Sequence, residues 1–427
     1  MYPNLYYVFK DWFGVEWGFL SFVNSFGFFV AISFVLGWVL LTKELKRKGK
    51  EGLVSPTEEK VVIGKPASLS ELLGNFIVGF LLGFKLLGLF LAEKGTNPQD
   101  YIFSTQGNWL LGLALGALFA YMRWRDKNKH KLAKPEERTI RVWPHDRVGE
   151  ITMIAVVFGL VGSKLFDAFE NWDSFVKDPA SILSGAGLTF YGGLICAGLA
   201  LWWFTRKHKI GFLHFTDCMG PVMMMAYGVG RIGCQVAGDG DWGIMNAAYK
   251  TSTQGGVFPA TASDFQAALQ NNAAYFAHEG THHAFFSKPG FLRFLPDWFF
   301  AYDYPHNVNE AGVPLANCVD KFCNHLPVPV FPTPMYETIA CLILFGVLML
   351  LRKKIKIPGL LFSVYLMFNG LERFLIEKIR VNVKMDFLGM HPTQAELISF
   401  GLMIAGVVMF LILLRNQKKW VTDKKNQ

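Results

Sequence analysis

Gly228-Val-Gly-Arg-Ile-Gly-Cys-Gln-Val-Ala-Gly-Asp-Gly-Asp-Trp-Gly243 follows directly on an apolar run, Phe212 to Tyr227, that reads as a membrane helix. Arg231 therefore falls at or just inside a membrane boundary, with Asp239 and Asp241 a few residues beyond it. An ionisable side chain at that depth is costly unless it is paired, hydrated or used, which makes it a functional candidate. The glycines permit the close approach and positive φ of a turn wrapped around a polar ligand. A snorkelling arginine followed by a Gly-rich loop reads the same stretch equally well. The rest of the chain decides between them.

Apolar runs recur along it. The 427 residues are 52% hydrophobic and only 18% charged, against about 25% charged in a soluble domain. Runs at 19–41, 72–92, 109–123, 150–168, 187–204, 212–232, 335–351, 358–376 and 395–414 read as spans. The expected fold class is an all-α polytopic membrane protein of about nine helices. The run at 109–123 is short enough to be tilted or re-entrant. Lys and Arg give a net charge of +9, and they cluster at Lys43–Lys50, Arg123–Arg147, Arg206–Lys209, Arg352–Lys356 and Arg415–Lys425. These clusters follow the first, third, fifth, seventh and ninth spans, so all fall on one face. By the positive-inside rule that face is cytoplasmic, with the N-terminus outside and the C-terminus inside. Topology, not nucleic acid, accounts for the charge. Met1 to Gly14 lacks a basic n-region and the first run is too long for a signal peptide, so it reads as a retained span.

This order divides the chain into an N-terminal extracytoplasmic segment with the first span (1–45), a hairpin with basic cytoplasmic linkers (46–148), core spans (149–233), an extracytoplasmic loop domain (234–333), three last spans (334–414) and a basic tail (415–427). The loop domain is rich in Asn, Ala, Gly, Pro and aromatics. A helix is expected over Asp264 to Phe276, with loops and short strands elsewhere. Six cysteines are too few to be its main support; Cys318 and Cys323 can pair if the region is extracytoplasmic, and free thiols fit as well.

Four further clusters stand near the outer ends of spans. Thr189-Phe-Tyr-Gly-Gly-Leu-Ile195 puts Tyr191 near the interface beside paired glycines, as an aromatic-belt residue would also be. Phe331-Pro-Thr-Pro-Met-Tyr-Glu337 enters the seventh span with Tyr336 and Glu337 close to the bilayer. Asn369-Gly-Leu-Glu-Arg-Phe-Leu-Ile-Glu377-Lys-Ile-Arg380 places Asn369, Arg373 and Glu377 at intervals of four, on one helix face. His391-Pro-Thr-Gln394 precedes the last span and also suits an ordinary helix entry. Arg231 and Arg373, on different helices at one leaflet, form a clamp suited to a phosphate, because guanidinium matches phosphate oxygens bidentately and stays charged. Phospholipid headgroups are the phosphates at that depth. His278-Glu-Gly-Thr-His282 matches the zincin pattern, which would make the protein a zinc-dependent membrane protease; Gly280 inside the motif argues for a loop instead.

Taken together, Gly-Arg-Ile-Gly-Cys with downstream acids and Trp-Gly, Phe-Tyr-Gly-Gly-Leu-Ile before it, Pro-Thr-x-x-Tyr-Glu after it and Gly-x-x-Arg-Phe-x-x-Glu later resemble the prolipoprotein diacylglyceryl transferase family, over roughly 19–45 and 150–414. The resemblance implies an enzyme of the bacterial inner membrane, with a core of seven spans plus one inserted hairpin. Its members move the diacylglyceryl group of phosphatidylglycerol onto the lipobox cysteine of preprolipoproteins, making a thioether and glycerol phosphate. The implied partners are phosphatidylglycerol, preprolipoprotein signal peptides and the lipid bilayer; no nucleic acid, metal or cofactor is implied.

By motif the resemblance makes Arg231 and Arg373 the essential arginines, with Glu377, Tyr191 and Asp239 as further catalytic residues. Gly230, Gly233, Cys234, Asp241, Gly243, Tyr336, Glu337 and Asn369 would bind substrate. This chain has Tyr191 where many members have His, Cys234 where many have Asn, and Asn369 and Phe26 where the family has Tyr. The loop is one residue longer, so Asp239 and Asp241 compete for one carboxylate role. The general base stays open among Tyr191, Asp239, Asp241 and Glu377. These departures also fit a catalytically inactive phospholipid-binding relative.

Overall fold

The computed structural model describes residues 1–91, 101, 102, 104–179, 182, 189–382, 385, 386 and 389–425, with 279 and 417–425 as backbone alone. The expected ends of two spans, at 92 and at 187–188, lie outside the described residues. The long helices are α1 (Ser25–Lys50), α2 (Leu69–Leu81), α3 (Trp109–Lys129), α4 (Val148–Glu170), α5 (Phe190–Lys207), α6 (Phe212–Ala237), α7 (Thr333–Leu351), α8 (Leu360–Glu377) and α9 (Gln394–Lys425). Among the described residues, five stretches are long and apolar enough to cross a membrane: Ser25–Lys50, Leu69–Leu87, Pro144–Glu170, Thr333–Leu351 and Gln394–Asn416. The protein is a mostly helical, multi-pass membrane protein. α6 and α8 carry polar side chains inside their apolar runs, Asp217 and Arg231 in one and Glu372, Arg373 and Glu377 in the other.

Packing divides the chain into two compact units, Met1–Glu44 with Leu213–Gln427, and Leu45–Phe212. In the second unit, α2 and α3 approach through facing glycines. A Cβ on Gly79 would lie 2.5 Å from the Leu115 carbonyl oxygen, and one on Gly112 would lie 2.9 Å from the Phe80 ring. Such small-residue stripes let membrane helices touch backbone to backbone. α4 and α5 meet in the same manner at Gly162 and Gly192. Asn108 starts α3 by accepting from Leu111 N at 3.0 Å. Each of the two basic linkers contains a strand, β1 (Thr57–Ile63) and β2 (Glu136–Val142), paired antiparallel from Thr57↔Val142 to Ile63↔Glu136. The all-α expectation is amended there, while the loop domain carries the short strands expected of it, such as Tyr249–Thr251 paired with Val257–Pro259.

In the first unit, α1 begins at Ser25 and not at 19, because Asn24 accepts from Phe26 N at 2.8 Å and a 3₁₀ turn occupies Gly18–Phe22. α6, α7 and α8 share a core of Met224, Cys341, Leu348, Leu361, Val364 and Tyr365. Buried Asp217 of α6 caps α8 from outside, accepting from Gly359 N and Phe362 N at 3.0 Å each. It satisfies amides that a helix start leaves open and sets a negative charge on the positive end of the dipole. That cap fixes the register at which α8 presents its far end.

The loop domain packs around Met245, Phe265, Phe276, Tyr304, Leu326 and Val330. Its expected helix divides into Ala262–Asn271, started by a Thr261–Asp264 capping box, and Ala273–Glu279. Cys318 and Cys323 are joined as a disulfide. Buried Tyr304 donates to Gln235 Oε1 of α6 at 2.8 Å, tying the domain to the helix from which it springs.

Candidate active site

Arg231 lies two turns from the end of α6, Glu337 in the second turn of α7 and Arg373 in the last turn of α8. The Nε of Arg231 pairs closely with Glu337 Oε2, and its Nη1 pairs closely with Asp241 Oδ2. Glu337 is completely buried. Its second oxygen, Oε1, lies 3.5 Å from Arg373 Nη1 and 3.4 Å from Arg380 Nη1. Tyr227, one turn before Arg231, donates to Glu337 Oε2 at 3.1 Å, and its ring centroid is 5.3 Å from the Arg231 guanidinium carbon. Arg373 Nη2 reaches Glu377 Oε2 at 3.3 Å across one helical turn. The other Glu377 oxygen accepts from Thr393 Oγ1 at 2.7 Å and Asn382 Nδ2 at 2.5 Å. Arg380 Nη2 donates to Asp241 Oδ1 at 2.7 Å. Three guanidiniums thus interleave with three carboxylates, and each charge has an opposite neighbour, as buried charges require.

The loop after α6 is shaped to deliver Asp241. Gly238 and Gly240 take φ of +65° and +94°, a region that disfavours any side chain. Gly243 N donates to Phe331 O at 2.9 Å and Ile244 N to Ile379 O at 2.8 Å, while Thr333 Oγ1 donates to Asp241 O at 2.8 Å. A Cβ on Gly243 would meet the Ile379 carbonyl oxygen at 2.5 Å and Thr333 Cγ2 at 2.9 Å. Gly233 faces Phe26 of α1, with 3.1 Å from a built Cβ to Phe26 Cα, whereas Gly230 faces open space. Arg380 also lines a cavity of about 190 Å³ with Gly240, Trp242, Gly243, Tyr275 and His282.

The two loop carboxylates differ. Burial pushes the Asp239 carboxyl above its usual range. Burial acts on Asp241 too, but Arg231 and Arg380 outweigh it and hold that group below the usual range. Buried Cys234 lies with its Sγ 3.6 Å from Arg231 Nη1.

The structure therefore gathers Arg231, Asp241, Glu337, Arg373 and Glu377, with Cys234 and Asp239 at the edge of the group. Tyr336 points elsewhere, its hydroxyl donating to Phe299 O at 2.6 Å. Asn369 is half-buried one turn before Arg373. Tyr191 lies in the first turn of α5, in the second unit, and the cluster belongs wholly to the first. Arg380 was given no role from the sequence, nor was Tyr227. Arg380 lies three residues past the end of α8, so helical spacing from Arg373 and Glu377 does not carry to it.

Among the described residues, the group with spacing for a metal ion is Cys234, Asp239 and Asp241, whose ligand atoms lie within 4.8 Å of one another. Two guanidiniums already take both oxygens of Asp241, which opposes a cation there. The zincin alternative loses its geometry. The helix carrying His278 ends at Glu279, Gly280 follows at φ +78°, and His282 is beyond it, so the two histidines do not share a helix face.

Fold and site together define a class: a multi-pass membrane protein that collects arginines and matching carboxylates where three helices end. A model of the prolipoprotein diacylglyceryl transferase family matches residues 108–412, well over half of the chain. The chain belongs to that family. The match begins inside the segment read as an inserted hairpin, so α3 falls within it. Relatives named phosphatidylglycerol–prolipoprotein diacylglyceryl transferase include one from Dehalococcoides mccartyi, 24% identical over 74% of this chain and 90% of its own length. Another, from Clostridium novyi, is 24% identical over 77% of this chain and all of its own. A third, from Enterococcus faecalis, is 27% identical over 66% and 81%.

Proposed function

We propose that the protein transfers the diacylglyceryl group of phosphatidylglycerol to the lipobox cysteine of preprolipoproteins, with Arg231 and Arg373 binding the lipid phosphate. The observation that carries this is Glu337, a buried carboxylate contacting Arg231, Arg373 and Arg380 at once. Guanidiniums fixed in advance around one point need no reorganisation when charge develops there.

In the reaction the cysteine sulfur attacks the glycerol carbon that bears the phosphate. A carbon–sulfur bond forms, the carbon–oxygen bond to phosphate breaks, and glycerol phosphate leaves with the electron pair. Charge grows on the phosphate oxygens, so the arginines favour the transition state over the bound lipid. A cysteine of pKa about 8.5 is mostly protonated at neutral pH, and Asp239 is the carboxylate we assign to take that proton. Asp241 and Glu377 serve to aim the arginines. The cavity beside Arg380 lies in the loop domain, which supports that domain as the receiver of the preprolipoprotein near its lipobox.

For topology we propose nine spans in the bacterial inner membrane, with the N-terminus and the 234–333 domain outside and the C-terminal tail in the cytoplasm. Segment 46–148 is then an added hairpin, and 149–233 and 334–414 hold the core spans. The basic ends of α1 and α5, Arg47, Lys48 and Lys50 and then Arg206 and Lys207, support one cytoplasmic face. The Cys318–Cys323 disulfide supports an oxidising compartment for the loop domain.

The test is purified protein in phosphatidylglycerol micelles with a lipobox peptide, read as a mass increase on the peptide cysteine. Wild type forms the diacylglyceryl adduct; Arg231→Ala and Arg373→Ala do not. Absence of both adduct and glycerol phosphate with wild type would favour an inactive lipid-binding relative.

A further inference from the structure

The loop domain contains one segment that the proposed reaction does not use. Between Phe286 and Phe300 the chain leaves the domain and returns, with both feet held by a single fully buried side chain. Asn246 Nδ2 donates to Phe286 O at 2.9 Å and Phe300 O at 3.1 Å, and its Oδ1 accepts from Phe286 N at 3.1 Å. The excursion is braced across its width. Lys288 Nζ donates to Leu295 O at 2.8 Å and pairs with Asp297 Oδ1 at 2.7 Å. A 3₁₀ turn, Gly290–Leu292, forms the apex.

Leu292 and Leu295 turn inward against the buried cluster of Ala248, Tyr249, Phe300 and Ala301, while the aromatic side chains of the loop face outward. Phe291 and Phe294 are 79% and 78% exposed, and Phe285 and Trp298 are 61% and 49% exposed. Arg293, between the two apex phenylalanines, is exposed and makes no ion pair among the described residues. Exposed aromatics around one free guanidinium suit the boundary between acyl chains and anionic headgroups.

The feet of the loop stand at the mouth of a candidate membrane helix. Phe299 O accepts from Tyr336 Oη, in the second turn of α7, at 2.6 Å, and the rings of Phe299 and Tyr336 are 5.5 Å apart. The Phe286 ring is 6.3 Å from that of Phe331, two residues before α7 begins. The aromatic apex is thus joined through short contacts to the level at which α7 enters the bilayer. We propose that residues 285–298 form an interfacial anchor, with Phe291 and Phe294 set among the acyl-chain ends of the outer leaflet and Arg293 on lipid phosphate. The side of the membrane rests on the topology proposed above; the insertion itself does not depend on which leaflet it is. The anchor would hold the loop domain down on the bilayer from which the lipid substrate arrives.

The experiment places a nitroxide label on Phe291→Cys, on Phe294→Cys and, as an aqueous reference, on Val319→Cys, which is fully exposed on the same domain. Each full-length protein is set in nanodiscs of phosphatidylglycerol and phosphatidylcholine. Collision with oxygen and with a water-soluble nickel chelate is then measured by electron paramagnetic resonance. The expected result is high oxygen and low chelate accessibility at 291 and 294, with the opposite at 319. Chelate accessibility at 291 and 294 equal to that at 319 would overturn the anchor. So would protection from both reagents, which would mean that another protein surface covers the loop. A measurement without substitutions guards against misfolded variants: wild type is irradiated in nanodiscs containing a phosphatidylglycerol with a diazirine on its acyl chain. Adducts are expected on the 285–298 peptide, and adducts on α7 without any on that peptide would also overturn the proposal. Both readouts are independent of transfer activity, so the anchor and the transferase reading can fail separately.

Discussion

Arg380 Nη2 lies 2.7 Å from Asp241 Oδ1, joining residues 139 positions apart. The bond leaves Asp241 between Arg380 and Arg231, and it makes Arg380 the third arginine of the cluster. Arg380→Ala is expected to lower kcat/KM roughly 100-fold, the order seen when one preorganised donor is lost. Asp241→Asn in the same background should cost much less than it does alone, because the two groups act as a unit. Steady-state kinetics on the two single variants and the double variant check this; full additivity would show that the pair is incidental.

Glu337 contributes a different property. It is completely buried and faces three guanidiniums, so Glu337→Gln leaves positive charge without its counter-charge. Removing one member of a buried ion pair typically costs about 3–5 kcal/mol. The thermal midpoint of the variant in detergent should fall sharply, and addition of phosphatidylglycerol should restore part of the loss by placing a phosphate among the arginines. A midpoint equal to wild type would mean that Glu337 is not the counter-ion of the group.

Gly243 tests the loop without touching a charge. Its hydrogen survives between Ile379 O and Thr333 Cγ2 where a methyl does not. Gly243→Ala should push apart the antiparallel backbone bridge between Gly243 and Arg380, costing about 1–3 kcal/mol in stability and displacing Asp241 from Arg231. Activity should fall more steeply than folding, measured as kcat/KM beside the thermal midpoint. Gly230→Ala, which meets nothing within 4 Å, serves as the control for stability.

His278→Ala breaks the zincin pattern of His278 and His282 and leaves His282, which lines the cavity beside Arg380, in place. The helix between them ends at Glu279, so transfer should be retained within about twofold and resist chelators. Activity abolished by chelation and restored by zinc would revive the protease reading.

Much of this was legible because the informative signals are local. Apolar runs mark the long helices, and Arg373 with Glu377 pairs as its spacing of four requires. What escaped depends on distant partners. β1 and β2 pair across a whole helical hairpin, with no turn between them to announce a sheet. Asp217 reads as an isolated charge in an apolar helix until α8 sets two amides upon it. Tyr336 looks equivalent to Glu337, its neighbour, yet a helix turns successive residues about 100° apart, so one meets the arginines and the other meets Phe299. Arg380 lies just past the end of α8, where helical periodicity no longer fixes direction.

The proton remains, and the two loop carboxylates make opposite predictions for it. Asp241 is held ionised by Arg231 and Arg380, so it stays charged through the pH range of an assay and cannot produce a rising limb. Burial makes Asp239 harder to ionise and raises its pKa above the usual carboxylate range. If Asp239 accepts the thiol proton, kcat/KM must rise with pH through that higher pKa, since the deprotonated form is the active one. Asp239→Asn should lose both the limb and at least roughly 100-fold in rate, whereas Asp241→Asn should lose rate and keep the limb. A limb that persists unshifted in Asp239→Asn would move the role to Glu377 or Tyr191, and the same profile on Glu377→Gln would then separate those two.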